Sequence, residues 1–384
     1  ALDHYVKHGL PHKHQSAAEI TRIKNGCHLL VELEGDVAVG SLTTEQLRAF
    51  RDVRLAKIPA DENKIRLKHK TKSVLESITA VHGTDWPVMS AGEREKRMRW
   101  IGSWFHWLHQ QRWLAENPAA PLHGESVLSV SERKKKLSKR ADEVRAVFTT
   151  EDLAKLFSEE WFQTGRGRLT KQGTYREFMP HYYWGPLLAL LAGGGRVNEV
   201  AQLHLNDFGV TAAGNHYVDF TADAEDKKLK NLQSRRRVPL HPLLISLAFP
   251  EWIEALKGAG YSRLFPELKH DPEKGYGKAL SKWFTRFMAS RGYPRDGTLT
   301  FHSFRHTFTN ALPADMPDRV RKQFTGHLRG HDSHDTTYRK DLDADQALPY
   351  IERLQVRLPE IAPFDVQEGL KAVSDALRRR TTGS

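Results

Sequence analysis

The sequence holds one cysteine, Cys27, in 384 residues. That excludes an intramolecular disulfide framework and a cysteine-built zinc site, and it fits a reducing compartment such as the cytoplasm. No stretch approaches the roughly 18 consecutive apolar residues of a membrane-spanning helix, so no membrane partner is expected. No basic-then-apolar leader opens the sequence, which starts on alanine. The common nucleotide and metal motifs are missing too. Gly193-Gly194-Gly195-Arg196 lacks the Gly-Lys-Ser/Thr ending of a phosphate-binding loop and follows a helical pattern rather than a strand. No His-Glu-x-x-His occurs. His327, His331 and His334 have ligand-like spacing, with Asp332 or Asp335 as further donors, but no cysteine completes the set. The expectation is no metal and no other cofactor.

What the sequence does have is positive charge. Lys and Arg number 59 against 47 Asp and Glu, a formal net charge of +12 with histidine neutral. Such a balance favours a polyanionic partner, nucleic acid before membrane, although an ordinary basic enzyme fits it equally. A hydrophobic fraction of 39 %, with 9 Trp and 17 Phe, argues for folded cores rather than disorder. The length suits two or three domains.

Residues 1–14 carry His and Lys without an apolar period and read as a tail. Residues 15–125 read as a small all-α domain. Ile20, Ile23, Cys27, Leu30 and Val31 recur at three and four, one face of a helix. Thr43 to Gln46 has the spacing of a capping box and opens a helix through Leu47 and Phe50, ending near Pro59. A third helix is expected over Lys64–Val81, with Lys64, Arg66, Lys68, Lys70 and Lys72 near its start and part of 64–72 as an extended lead-in. A fourth carries Trp100, Ile101, Trp104, Phe105, Trp107 and Leu108 and stops at Asn117-Pro118. Its aromatic spacing predicts buried core rather than a stacking platform.

Residues 126–146 form a basic linker holding Arg133, Lys134, Lys135, Lys136, Lys139 and Arg140. Like charges this dense oppose compaction; a solvated face is their ordinary meaning, and a phosphate backbone their alternative. A second domain, 147–384, opens on the helix start Thr149 to Asp152 and continues with an apolar helix over Trp184–Leu191. Tyr217–Phe220 and Arg237–Leu240 read as short strands flanking a Lys-rich turn. Helical patterns resume at Ile253–Leu256, Lys278–Met288, Arg305–Leu312 and Ala344–Leu354. The expected fold class is mainly α with a small antiparallel sheet.

Four segments gain meaning together. They are Gly195-Arg196-Val-Asn-Glu199, Lys228-Leu-Lys230 through Arg235-Arg236-Arg237-Val-Pro-Leu240, His302-Ser-Phe-Arg305-His306, and Gly326-His327 followed by Thr336-Thr337-Tyr338. In this order they resemble the tyrosine recombinases, the phage-integrase-like enzymes. Trp104 to Pro118 is similar to the end of that family's core-binding domain, so the resemblance runs from about residue 15 onward. It implies a two-domain DNA clamp, a helical core-binding (SAM-like) domain joined to an α+β catalytic domain. The implied partner is double-stranded DNA bearing specific recombination sites. A homotetramer on two sites, accessory DNA-bending proteins and a bacterial, phage or mobile-element setting follow from the resemblance alone.

The residue types suit phosphoryl chemistry in their own right. Phosphodiester transfer spreads negative charge over non-bridging oxygens, which two guanidiniums can hold in a fixed fork; Arg196 and Arg305 fit that role. Surface salt bridging is the plain alternative, and Glu199, one turn from Arg196, serves either reading as an ion-pair or orienting partner. The resemblance makes Tyr338 the nucleophile, His302 its base, His327 a phosphate ligand and Lys230 the general acid, with His306 supporting the helix. Tyr350 is the rival nucleophile, His331 rivals His327, and Lys227 and Lys228 rival Lys230. Lys68, Lys70, Lys72, the linker cations, Arg235 and Arg236 are the expected DNA contacts. Type IB topoisomerases and telomere resolvases share this chemistry, a non-catalytic DNA-binding relative would share the fold, and a histidine-ligated metallonuclease is the outsider.

Overall fold

The computed structural model describes residues 1–11, 17–128, 146–167, 178–229, 234–326 and 341–382. The chain divides into two compact units, Ala1–Lys139 and Arg140–Ser384.

The first unit is helical, with helices Ala17–Glu34, Thr44–Ala49, Glu62–His69, Val74–Ala80 and Ala91–Gln110. Thr43 and Gln46 form the expected reciprocal cap, satisfying two backbone donors at once. Trp104, Phe105, Ile101 and Leu108 of the long helix are buried against Cys27, Leu30, Leu47 and Phe50, so its aromatic stripe is core. The Lys64–Val81 helix is corrected to two. Lys70 adopts a left-handed conformation (φ 56°) that ends the first, and the Ser73 hydroxyl caps the second by accepting from the Glu76 amide. Lys68, Lys70 and Lys72 all sit exposed at this break. Lys64 and Lys68 place their ammonium groups 5.3 and 5.7 Å from the Trp86 ring centre, so part of this basic run rests on an aromatic face.

The N-terminal tail is a second correction. Leu2–His4 and Tyr5–Gly9 are helical, and Leu2, Tyr5 and Leu10 are buried in the first unit's core. Leu10 N–H donates to the Tyr5 carbonyl, a five-residue step that breaks the 3.6-residue period by which a helix announces itself.

The second unit is mainly helical around a three-stranded antiparallel sheet, β1 (Phe208–Val210), β2 (His216–Phe220) and β3 (Arg236–Pro239), in that order. Val218 faces Val238 across the pair and both are fully buried; Phe220 faces Arg236. The apolar helix Pro180–Leu191 runs through the core, with Tyr182 its one residue outside the buried class. Helix Val366–Thr381 ends the described chain. Asp365 caps it, and Gly369, Ala372 and Val373 are buried, Gly369 against Phe364 and Trp252. This helix therefore packs on its own unit through its first half. No helix among the described residues is long and apolar enough to cross a membrane.

Candidate active site

The apolar helix ends at Gly193-Gly194, both in left-handed conformations (φ 73° and 58°). A Cβ at Gly193 would lie 2.9 Å from the Val238 side chain and 3.0 Å from the Phe324 carbonyl oxygen; one at Gly194 would lie 2.9 Å from Phe308. Here the glycines serve close approach. β3, helix Asp318–Thr325 and helix His302–Ala311 all press on this turn, and the turn delivers Arg196 to the start of helix Val197–Ala201.

Arg196 donates through one terminal nitrogen to Glu199 Oε1 at 2.6 Å, and its backbone N–H donates to Glu199 Oε2 at 3.0 Å. Glu199 is 2 % exposed. Burial pushes its carboxyl up, but the charges of Arg236 and Arg196, with the hydrogen bonds from Arg196, outweigh that and hold it at about 2. Arg305 is 3 % exposed and donates to the Gly194 carbonyl at 2.9 Å and to the Thr325 carbonyl. Burial first, then the Arg196 and Arg236 charges, push Arg305 down to about 9, against the pull of Glu199; it stays charged at neutral pH. Three guanidiniums thus surround one buried carboxylate, a cluster whose electrostatic strain an anion would relieve.

His302 opens helix His302–Ala311, and Arg305 and His306 follow at i+3 and i+4 on the same face. The His302 and His306 rings meet edge to face, centroids 4.7 Å apart. Although His302 is exposed, partial enclosure of its ring, followed by the charges of His306, Arg305 and Arg196, holds it down to about 4. It is therefore neutral at pH 7, with a ring nitrogen free of its second proton. NMR should find His302 titrating near 4, assigned by its loss in His302→Asn; an ordinary value near 6.5 would contradict the cationic site.

Of the two rival lysines, Lys227 is tied down and Lys228 is exposed. Lys227 is buried and donates to Asp207 at 2.6 Å and Thr221 at 2.8 Å. Lys228 donates from its backbone to Gln202 and from Nζ to the Pro272 carbonyl at 3.3 Å. Arg235 is exposed and pairs with Asp223. Arg236 is corrected from a DNA contact: its side chain is 1 % exposed, with Glu199, Phe324 and Ser234 as acceptors. β-strand alternation sends it inward beside Val238 while Arg237 points out.

Sequence reasoning also missed Gln323. Its amide donates to the Leu342 carbonyl at 2.8 Å and accepts from the Leu342 N–H at 3.1 Å. These two hydrogen bonds tie helix Asp318–Thr325 to the backbone just before helix Ala344–Glu352. Lys230, His327 and Tyr338 lie outside the described residues, as do His331, His334, Arg133, Lys134, Lys135, Lys136, Lys139 and Arg140.

Comparison with solved structures decides the fold. The Tn1549 transposon integrase, solved with a circular intermediate DNA, superposes with a TM-score of 0.52 at 16 % identity, over 92 % of this chain and 99 % of that one. A lambda integrase dimer bound to a COC′ core site gives 0.52 at 15 %, over 88 % and 94 %. The chain has the tyrosine recombinase fold. No family model and no curated protein matches the sequence. Within the tyrosine recombinase fold the described part of the site is a buried carboxylate, three guanidiniums and a histidine pair, brought from Arg196–Glu199, β3 and helix His302–Ala311.

Proposed function

We propose that the protein is a site-specific DNA recombinase that cuts and rejoins strands through a covalent 3′-phosphotyrosine link. The observation that supports this most directly is the pairing of Arg196 with Arg305. These two cations, far apart in sequence, come together at the Gly194 turn, where the Arg196 charge helps to lower Arg305 and Glu199 holds Arg196. The DNA-bound integrases of the same fold support a DNA substrate.

In the reaction, the Tyr338 oxygen attacks the scissile phosphorus while Arg196 and Arg305 hold the non-bridging oxygens. A phenol has a pKa of about 10, so its proton must leave as attack proceeds; neutral His302 receives it. The P–O5′ bond breaks, Lys230 gives a proton to the leaving 5′ oxygen, and His327 hydrogen-bonds the phosphate. One phosphoester has replaced another, so the bond energy is kept. The 5′ hydroxyl of a second strand then attacks the phosphotyrosine and frees Tyr338. No step requires ATP, and the guanidiniums meet the charge that a metal would otherwise meet. A synaptic tetramer on two duplexes, accessory DNA-bending proteins, a mobile-element role and a cytoplasmic setting complete the reading.

The test uses a duplex selected from a random pool by this protein, remade with nicks tiled along it, and incubated in EDTA. A protein–DNA adduct surviving a denaturing gel is expected. Cleavage without an adduct, appearing only with added divalent metal, would assign a metallonuclease instead. Relaxation of supercoiled plasmid lacking the selected sequence would assign a topoisomerase.

A further inference from the structure

Arg236 is placed where no surface contact with DNA is open to it. Its guanidinium spends each nitrogen on a different element of the site. Nε donates to the Phe324 carbonyl at 2.8 Å, one terminal nitrogen to the Ser234 carbonyl at 3.0 Å, and the other to Glu199 Oε2 at 2.9 Å. Its charged plane also lies 4.1 Å from the Phe220 ring centre on the neighbouring strand. Phe324 is the penultimate residue of helix Asp318–Thr325, so Arg236 sits at that helix's negative end, where its carbonyls lack intrahelical partners.

Each of those contacts leads to a group in the strand-transfer chemistry. Glu199 holds Arg196. Ser234 leads into β3 and follows Lys230 by four residues in sequence. Helix Asp318–Thr325 runs into Gly326 and then His327. Gly326 has φ 58°, and a Cβ there would meet the Arg236 guanidinium at 3.0 Å and the Ser234 carbonyl at 3.3 Å. The glycine before His327 therefore has two reasons to be glycine, its left-handed backbone and the guanidinium beneath it.

We propose that Arg236 is a positioning residue for strand transfer, setting Arg196 through Glu199 and fixing the hairpin and the Gly326 turn against each other. This rests on the recombinase reading. A fully desolvated cation with acceptors at all three nitrogens is costly to bury, and a packed hydrocarbon side chain would fill the same space more cheaply. Geometry at the site is what the charge provides. Without it, Glu199 Oε2 loses its cationic donor and is held by Arg196 alone, and the Phe324 and Ser234 carbonyls each lose a donor.

The readout must separate positioning from loss of fold. With the selected duplex, single-turnover adduct formation is measured for wild type, Arg236→Met and Arg236→Lys, beside duplex affinity and melting temperature. Each is repeated on a duplex with a methylphosphonate at the cleaved position, which removes one negative charge and so asks less of Arg196. Arg236→Met should slow adduct formation by about 100-fold on the phosphate duplex, with affinity within about threefold of wild type. On the methylphosphonate duplex the deficit should shrink to less than about tenfold, as expected when the missing element is correct placement of a phosphate-binding cation. Arg236→Lys keeps the buried charge but not the three-way fork, and should fall between. If Arg236→Met does not fold, the same ratio is read from Arg236→Lys.

Wild-type rates in the variants, or an equal deficit on both duplexes, would overturn the positioning role and leave the recombinase reading intact. A wild-type protein that forms no adduct overturns both.

Discussion

Tyr338→Phe is expected to lose the covalent adduct completely while duplex affinity stays within about threefold of wild type. The change removes one oxygen. If that oxygen is the nucleophile, no compensating group can form the phosphoester, so the loss is of the bond itself rather than of a fraction of rate. On the proposed reading, binding rests instead on many phosphate contacts from Lys and Arg, and one hydroxyl among them contributes about 0.5 kcal/mol, a factor of two to three. Tyr350 provides the control. It lies in helix Ala344–Glu352, half-buried and packed against the second unit's core beside Ile351 and Leu354. Tyr350→Phe should form adduct at the wild-type rate. Adduct retained in Tyr338→Phe and lost in Tyr350→Phe would reverse the assignment. The measurements are a denaturing gel for the adduct and a native gel shift for affinity.

Which parts of this site were legible in the sequence follows from how each residue earns its place. Arg196, His302 and Arg305 sit in short motifs whose residue types suit phosphate chemistry, and their order along the chain carries the resemblance. The small sheet was legible at Tyr217–Phe220 and Arg237–Leu240 because β-branched and aromatic residues alternate there. β1 was not. It is three residues long with Gly209 at its centre, and Tyr217 occupies the space where a Cβ would project, so pairing rather than pattern defines it.

Arg236 was hidden in a run of three arginines, which looks like a single basic patch. Its inward direction was present as a period-two signal, since Val238 is apolar and Arg236 shares its face. Gln323 offered no such signal. A neutral amide near a helix end has no motif, and its bond to Leu342 depends on two segments meeting in space. Residues 1–11 were missed for a geometric reason: Leu2 and Tyr5 keep helical spacing, but a five-residue hydrogen-bond step carries Leu10 off it, leaving too short a period to read.

Arg305→Met should slow adduct formation by about a thousandfold or more, far beyond any loss of stability. Two opposed effects act on the fold. The Gly194 and Thr325 carbonyls each lose a donor, at about 1–3 kcal/mol for a buried acceptor left without one. Against this, wild-type Arg305 is a strained cation. Its pKa is lowered on folding to about 9, so the unfolded chain binds its proton more tightly, and the charged form costs stability at every pH below about 9. That cost fades only as the pH rises from 9 toward the unfolded value, well above the working range. Removing the guanidinium at neutral pH therefore returns stability that partly offsets the lost hydrogen bonds, and the melting temperature should change little. On the proposed reading, duplex phosphate adds negative charge beside Arg305 and should raise the wild-type melting temperature more than that of Arg305→Met. Thermal melts with and without the selected duplex, set beside single-turnover rates, read all three quantities. A melting temperature that collapses in step with activity would make Arg305 a structural cation. A stable protein that binds DNA and does not react makes it part of the chemistry.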